Sequence, residues 1–169
     1  IYTNLKTGYN MKRPWNRDAL SVFSLLTYSK NGDLNMNVCT YVSIVNMHPK
    51  TYAISIEYSS LTYKNIIQNS SNIVLQRLSK KNINLVKHIG KKTGFIFNKK
   101  KFLKENDLLI RWRNHYVLRD TSYLIELEYL KKCFKLKDHC LFFFKINSYK
   151  NQKNELLTLT DLIDKKIIL

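Results

Sequence analysis

Apolar residues along the chain recur mainly in the alternating or continuous runs that β-strands require, with short helical patterns between them. Residues 51–58 alternate strictly, with Tyr52, Ile54, Ile56 and Tyr58 facing one way. This period of two predicts a half-buried strand in which Thr51, Ala53, Ser55 and Glu57 form the other face.

Further strand patterns lie on both sides of this one. Residues 19–29 and 36–47 predict two strands joined by a turn at 30–33 with glycine at its tip, and His48-Pro49 ends the second strand. The remaining predicted strands are residues 72–78, 115–118, 122–136 and 139–147.

Helix signals are shorter than strand signals and stand between them. Residues 59–70 predict a helix capped by Ser60 or Thr62, with Tyr63, Ile66 and Ile67 on its apolar face. Residues 79–90 run from a Ser79 cap to a Gly90 stop. Residues 6–20, around Pro14, predict an irregular opening, and residues 91–95 predict a loop. Residues 156–166 predict a closing turn or short helix, whereas residues 99–110 show no clear pattern.

Six or seven strands with two or three short helices predict a mainly β protein. Because most of the strands follow one another as hairpins, an antiparallel barrel is favoured over βαβ units. The sequence shows neither a repeat nor an interdomain linker, so we expect residues 1–169 to form a single domain.

Composition indicates a folded chain and bears on the cellular compartment of the protein. The chain has 169 residues, of which 44% are hydrophobic, enough for one real core. The longest apolar run, "CLFFFKI", is interrupted by Lys145, so no membrane span is predicted. Three widely spaced cysteines form no CxxC pair, and no secretion signal is visible, so we expect reduced thiols in a cytoplasmic protein.

The formal charge of +17 raises the question of a polyanionic partner such as nucleic acid. Lysine, asparagine and isoleucine make up about a third of the chain, far above average usage, and all three have AT-rich codons. No nucleic-acid recognition motif accompanies the charge. We therefore interpret the charge as genome composition on solvated surfaces, and nucleic-acid binding is disfavoured.

Motifs for catalysis by side chains alone are missing from the sequence. Neither GxGxxG nor GxxxxGKS is present, and neither HExxH nor GxSxG occurs. The four histidines are far apart, so no metal site is predicted. If the protein is an enzyme, a bound cofactor is expected to carry the difficult step.

Five segments in consistent order carry a resemblance to a known family. They are "LLTYSKNGDLNMNVCTYVSIVNMHPKTYAISI", "SSLTYKNI", "IVLQRLS", "LVKHIGKKTG" and "KDHCLFFFKI". Together they resemble the flavin reductase-like FMN-binding split-barrel family, in its flavoredoxin-like branch, over roughly residues 13–168.

The resemblance implies an antiparallel split β-barrel that forms a homodimer with FMN at the subunit interface. It also implies an oxidoreductase that passes hydride or electrons from NAD(P)H through the isoalloxazine ring to a flavin or another small-molecule acceptor. The alternative from a different class is a non-catalytic basic β-barrel that binds nucleic acid or another anionic ligand.

The resemblance also implies which residues hold FMN. The strand after the first hairpin would run beside the flavin, and its short polar side chains and backbone would supply donors and acceptors. Hydroxyl groups at the start of the following helix, and lysines of the "GKKTG" loop, would face the phosphate. The predicted cofactor-binding residues are Asn35, Met36, Asn37, Val38, Cys39, Thr40, Tyr41, Ser59, Ser60, Thr62, Lys91 and Lys92.

Simpler structural roles remain open for several of these residues. Residues 35–41 would equally suit a solvated strand face or a dimer seam, and Ser60 or Thr62 an ordinary helix cap. His139 matches a family histidine near the flavin or nicotinamide, but would also suit a turn. Cys39 is expected to be a buried small hydrophobe rather than a catalytic thiol.

Overall fold

One seven-stranded antiparallel sheet forms the frame of the molecule in a computed structural model, which describes residues 19–69 and 72–168. The strands lie in the order β2-β1-β5-β8-β9-β4-β3, and a separate hairpin pairs β6 with β7. The strands are β1 Phe23–Tyr28, β2 Leu34–Met36, β3 Val42–Met47, β4 Lys50–Glu57, β5 Ile73–Arg77, β6 Leu109–Trp112, β7 His115–Leu118, β8 Tyr123–Lys135 and β9 His139–Asn151.

Short helices connect these strands. They are α1 Leu61–Gln68, a 3₁₀ helix Lys80–Leu85, α2 Val86–Ile89, α3 Lys99–Glu105 and α4 Leu159–Asp164. None of the helices in the described part of the chain is long and apolar enough to cross a membrane. Most of the irregular opening predicted at residues 6–20 lies outside the described residues.

The sheet is not closed, and β2 and β3 are its two edges. Two apolar clusters pack against it. One includes Leu26 and Leu78 of the sheet region together with residues of α2, α3, α4 and β7. The other includes Phe142 and Phe144 of β9 and is covered by α1 through Ile66. The predicted antiparallel split-barrel fold is therefore confirmed, with an open seam between its edges.

The predicted strand at residues 36–47 is wrong, because the strand is interrupted between Met36 and Val42. The side-chain oxygen of Asn37 accepts the Leu25 amide at 3.0 Å, which replaces a regular ladder bond. Cys39 then exchanges two backbone hydrogen bonds with Phe23, each 2.9 Å long. The chain next leaves β1, and its direction changes before β3 begins. Residues 37–41 thus form an irregular connection instead of a strand.

The predicted hairpins are confirmed on both sides of this connection. Tyr28 pairs with Leu34 across the first turn, and Gly32 adopts a positive φ of 78° there, a conformation that suits glycine. His48-Pro49 lies in the turn between β3 and β4, as expected. The two long strands predicted after residue 122 are β8 and β9.

Burial of β4 differs from the prediction. Thr51 and Ala53 belong to the face expected to meet solvent, but both are buried. Ala53 is paired with Phe143 of β9 on one side and with Ser43 of β3 on the other, so flanking strands enclose the small side chain. The strand is therefore covered on most of both faces rather than half-buried.

The helix predictions hold in position but not in every detail. Ser60, not Thr62, is the N-cap of α1, and Ile67 of its predicted apolar face is 52% exposed. Thr62 and Asn65 are buried instead of Ile67, because Thr62 is hydrogen-bonded to Asn35 and Asn65 to Thr27. The Ser79 cap and the Gly90 stop are both confirmed. The segment without a clear pattern contains α3 and the start of β6.

Candidate functional site

A cavity of about 460 Å³ opens where the interrupted segment 37–41 faces the start of α1 and the loop after α2. Its size lies within the range of small-molecule and cofactor pockets, about 300–1,000 Å³. The lining residues are Asn35, Asn37, Val38, Cys39, Thr40, Tyr41, Ser55, Ile56, Glu57, Ser59, Ser60, Leu61, Thr62, Gly90, Lys91, Lys92, Thr93, Gly94, Lys99 and His139.

The first wall is the irregular segment 37–41, in which several backbone amides lack a hydrogen-bond acceptor among the described residues. The amide groups of Val38, Thr40 and Tyr41 make no hydrogen bond to any of the described residues. The Tyr41 carbonyl accepts the amide of Ser55 at 3.0 Å, so this segment also joins β4. Because polar backbone groups need partners, these three amides are available to solvent or to a ligand.

The second wall is the start of α1, where two hydroxyl groups have different tasks. The Ser60 hydroxyl accepts the Tyr63 amide at 3.1 Å and donates to the Glu57 carbonyl at 2.8 Å, so it is committed to the cap. The Thr62 hydroxyl, 1% exposed, accepts from the Asn35 side-chain amide at 3.1 Å. Its own hydrogen is not donated to any described residue and remains for a ligand.

The third wall is the loop from Gly90 to Gly94, which approaches its neighbours closely. A Cβ added at Gly90 would lie 3.1 Å from a Val38 methyl carbon, and one at Gly94 would lie 2.5 Å from Asn35 Oδ1. The loop therefore packs directly on the segment after β2. Lys91 and Lys92 are exposed, and the Lys92 ammonium lies 4.4 Å from the centre of the Phe97 ring.

A buried lysine at the start of α3 joins two of these walls. Lys99 is only 6% exposed, and its ammonium group donates to the carbonyl oxygens of Met36 at 2.7 Å and Ile89 at 2.6 Å. Met36 ends the strand before the first wall, and Ile89 precedes the third. Burial lowers the pKa of Lys99 to about 8, because an apolar environment penalises the charged form.

The cavity lining also includes a histidine next to an aromatic ring. His139 Nδ1 lies 2.9 Å from a carboxylate oxygen of Asp138, and its ring centre is 5.8 Å from that of Tyr41. The hydrogen bond from His139 lowers the pKa of Asp138, since it favours the carboxylate. With Nδ1 bonded to the carboxylate, Nε2 is the ring nitrogen left for another partner.

Cys39 lines the cavity as a buried thiol. Burial raises its pKa to about 12, which keeps the sulfur protonated and a poor nucleophile at neutral pH. All three cysteines of the chain are free thiols. Among the residues that the structure describes, no cluster of histidine, cysteine, aspartate or glutamate could hold a metal ion.

All but one of the twelve predicted cofactor-binding residues line this single cavity, and so does His139. The exception is Met36, whose side chain is fully buried in the core with its sulfur 3.5 Å from Gln76 Nε2. The predicted set therefore converges in space although it spans residues 35–92 in sequence.

Several lining residues were missed by the sequence analysis. Lys99 and Gly94 matter most, since one brings a buried charge and the other allows close packing of the loop. Lys99 is one of 23 lysines in the chain, and nothing in its sequence surroundings distinguishes it from the half-buried Lys100 and the exposed Lys101 beside it. Gly94 offered a better signal, because the chain has only 4 glycines.

The fold is an antiparallel split barrel, and its cavity lies between the interrupted segment 37–41, the start of α1 and the loop after α2. The model of the flavin reductase-like domain family matches residues 21–163, and the chain belongs to this family. No curated protein matches the chain in sequence.

Solved structures give the same fold at low sequence identity. The FMN-binding protein from Thermus thermophilus with bound p-hydroxybenzaldehyde aligns with a TM-score of 0.71 and 13% identity, over 90% of this chain and 83% of that one. Flavoredoxin from Methanosarcina acetivorans aligns with a TM-score of 0.70 and 14% identity, over 90% and 77% of the two chains. The styrene monooxygenase flavin reductase from Pseudomonas putida aligns with a TM-score of 0.68 and 12% identity, over 83% and 85%.

Proposed function

We propose that this protein binds FMN in the cavity and acts as an NAD(P)H-dependent reductase of flavin or of another small acceptor. The observation that carries the proposal is the convergence of eleven of the twelve predicted FMN-binding residues on one cavity. Membership of the flavin reductase-like family supports the same conclusion. The family favours this reading over the alternative of a non-catalytic basic protein that binds nucleic acid or another anion.

The chemistry of the lining fits a phosphorylated flavin. A flavin ring has polar atoms along its edge, and the free amides of Val38, Thr40 and Tyr41 are donors of the kind it needs. The unused hydrogen of the Thr62 hydroxyl, and the Ser59 hydroxyl, would serve the phosphate. A buried ammonium group also lines the cavity, which an anionic ligand would neutralise.

When bound, the flavin would supply hydride and electron transfer between a nicotinamide nucleotide and the acceptor. The protein residues hold and orient it. Val38, Ile56 and Leu61 line the cavity and would offer a bound flavin ring an apolar surface. His139, held by Asp138 in the cavity lining, would meet the nicotinamide.

We further propose that the protein is a homodimer whose second copy completes the cofactor site. The edge strand β3 supports this, because Ile44, Val45 and Met47 are 50–61% exposed although they are apolar. An unpaired apolar edge strand is a surface that proteins normally cover. Tyr41, at the cavity rim just before this strand, is 60% exposed as well.

A reducing compartment suits the chain, and we propose that the protein is cytoplasmic. The three free thiols support this, since cysteines remain reduced in the cytoplasm.

Purified protein titrated with FMN, followed by NADH or NADPH, tests the proposed function. We expect bound flavin absorbance, its bleaching by a nicotinamide nucleotide, and its return when an acceptor is added. Sedimentation equilibrium of the same sample tests the dimer. A protein that binds nucleic acid at physiological salt but not FMN would instead support the basic binding protein.

A further inference from the structure

The cavity contains one buried positive charge that lacks a counter-ion among the described residues. Lys99 forms no salt bridge there, whereas its neighbours Lys100 and Lys101 pair with Asp33 at 3.1 Å and Glu105 at 3.8 Å. Two of its three N–H groups donate to backbone carbonyls. An ammonium group has three donors, so one has no partner among residues 19–69 and 72–168.

A buried ammonium group without an anion is unfavourable in a folded protein. The two carbonyl oxygens offset part of this cost but carry no full charge. The lowered pKa of Lys99 is the expected result of such an environment. An anion entering the cavity would supply the missing charge and the third acceptor.

We propose that Lys99 is the residue that selects the phosphorylated form of the flavin, through its free N–H and its charge. This inference rests on the proposed function, in which FMN occupies the cavity. Because the same ammonium group also holds the carbonyls of Met36 and Ile89, it positions two walls of the cavity as well.

The sequence-predicted phosphate lysines are weaker candidates for this selection. Lys91 and Lys92 line the cavity, but both are exposed, and Lys92 also lies over the Phe97 ring. Exposed charges are screened by water and salt, so each contributes little. A charge that is already removed from water, such as Lys99, interacts more strongly with a phosphate.

Protonation of Lys99 should make the FMN affinity of the wild-type protein depend on pH. In the free protein, Lys99 is charged below about pH 8 and becomes neutral above it. FMN binds the charged form, so its affinity should fall as the pH rises through this value. The FMN phosphate stays a dianion over this range, because its second pKa is about 6.

Other ionisable groups lie in the cavity lining and on the elements around Lys99. Glu57 and His139 line the cavity and would meet riboflavin as well as FMN. The remaining ionisable groups around it are Asp33 before β2, Lys64 on α1, Lys87 and His88 on α2, Lys91 and Lys92 in the loop, and Lys100 and Lys101 on α3.

Titration of riboflavin and FMN into the wild type and three variants tests the inference. Lys99→Met removes the charge but keeps an unbranched side chain, and Lys101→Met and Lys104→Met are matched controls at exposed positions of the same helix that do not line the cavity. We expect Lys99→Met to lose at least about tenfold more affinity for FMN than for riboflavin, as for a hydrogen bond between charged groups. The control variants should change the ratio of the two affinities by less than about threefold.

The pH profile of the wild type gives the second readout, and it remains available if Lys99→Met does not fold. Between pH 7 and pH 9, FMN affinity should fall about tenfold while riboflavin affinity stays constant. Equal losses for both flavins in Lys99→Met, or a constant ratio across the pH range, would overturn the selection by Lys99. Wild-type protein that binds neither flavin would overturn the proposed function and this inference with it.

Discussion

Replacing Gly94 with alanine should damage the cavity, because this loop residue packs directly against Asn35 of β2 and Leu61 of α1. A Cβ there would lie 2.5 Å from Asn35 Oδ1 and 2.9 Å from Leu61 Cδ2. Both distances are too short for real contacts, so something must move. Asn35 cannot turn aside freely, since its side-chain amide donates to the buried Thr62 hydroxyl.

The cost follows from these contacts. Overpacking a tight site costs about 1–3 kcal/mol, and losing the hydrogen bond between Asn35 and Thr62 about 1 kcal/mol more. The smaller conformational freedom of alanine in the unfolded chain offsets about 0.4–1 kcal/mol. We expect a net loss of about 2 kcal/mol in the free energy of unfolding, which lowers Tm by roughly 4–8 °C at this chain length.

Flavin affinity should fall as well. In the variant, the walls shift to relieve the clash with the added methyl group. Binding FMN requires them in their present positions, so part of the strain is restored when FMN binds and lowers the affinity. A strain of about 1.4 kcal/mol would weaken binding about tenfold.

Gly32→Ala is the matched control. Gly32 has a positive φ of 78°, and nothing lies within 4 Å of an added Cβ, so the change strains only the hairpin tip. It should cost about 1–2 kcal/mol of stability and leave FMN affinity unchanged. Thermal unfolding and FMN titration of both variants form the assay. If Gly94→Ala binds FMN like the wild type, the loop and α1 do not form the flavin site.

Three further results are expected. Thr40→Val or Thr62→Ala should weaken FMN binding about tenfold, and Thr62→Ser should not; unchanged titrations in the first two would place the flavin elsewhere. Ile44→Lys puts a charge on the apolar edge strand and should shift the dimer to monomer in sedimentation equilibrium, unless the interface lies on another face. Burial alone would raise the pKa of Glu126, but hydrogen bonding, chiefly from His115, lowers it overall. The stability from Glu126 is therefore present above its unfolded pKa of about 4.3 and lost as pH falls through the lower folded value. In Glu126→Gln, the free energy of unfolding from denaturant titrations should depend less on pH in the acid range than in the wild type. The same pH dependence in both proteins would contradict the contribution of Glu126 to stability.

The β-strands were largely predictable because their apolar pattern is local. Hairpins such as the one at Gly32, and the break at His48-Pro49, follow from residues a few positions apart. The interruption after Met36 was not predictable in this way. It depends on the side chain of Asn37 bonding to Leu25, twelve residues earlier in the chain.

The candidate site was predictable only for residues that lie in segments resembling the family. The resemblance indicated the segment after β2 and the start of α1, and the structure brings both to one cavity. It could not indicate Lys99, because burial depends on which carbonyls surround a lysine, and those of Met36 and Ile89 come from distant parts of the chain. Met36 was included because the resemblance places the whole stretch 35–41 beside the flavin, but its side chain is buried in the core.

The connection at residues 37–41 also leads to an expectation about local opening of the sheet in solution. It is hydrogen-bonded to β1 through Cys39 and to β4 through Tyr41, and so spans the seam between two parts of an open sheet. Such a seam is a natural place for local opening, which exposes backbone amides to exchange with solvent. A ligand held against this connection, α1 and the following loop would have to leave before the seam could open. Hydrogen exchange at Cys39 and Ser55 should therefore slow in proportion to occupancy, so that the amides of the seam report how much ligand the protein carries.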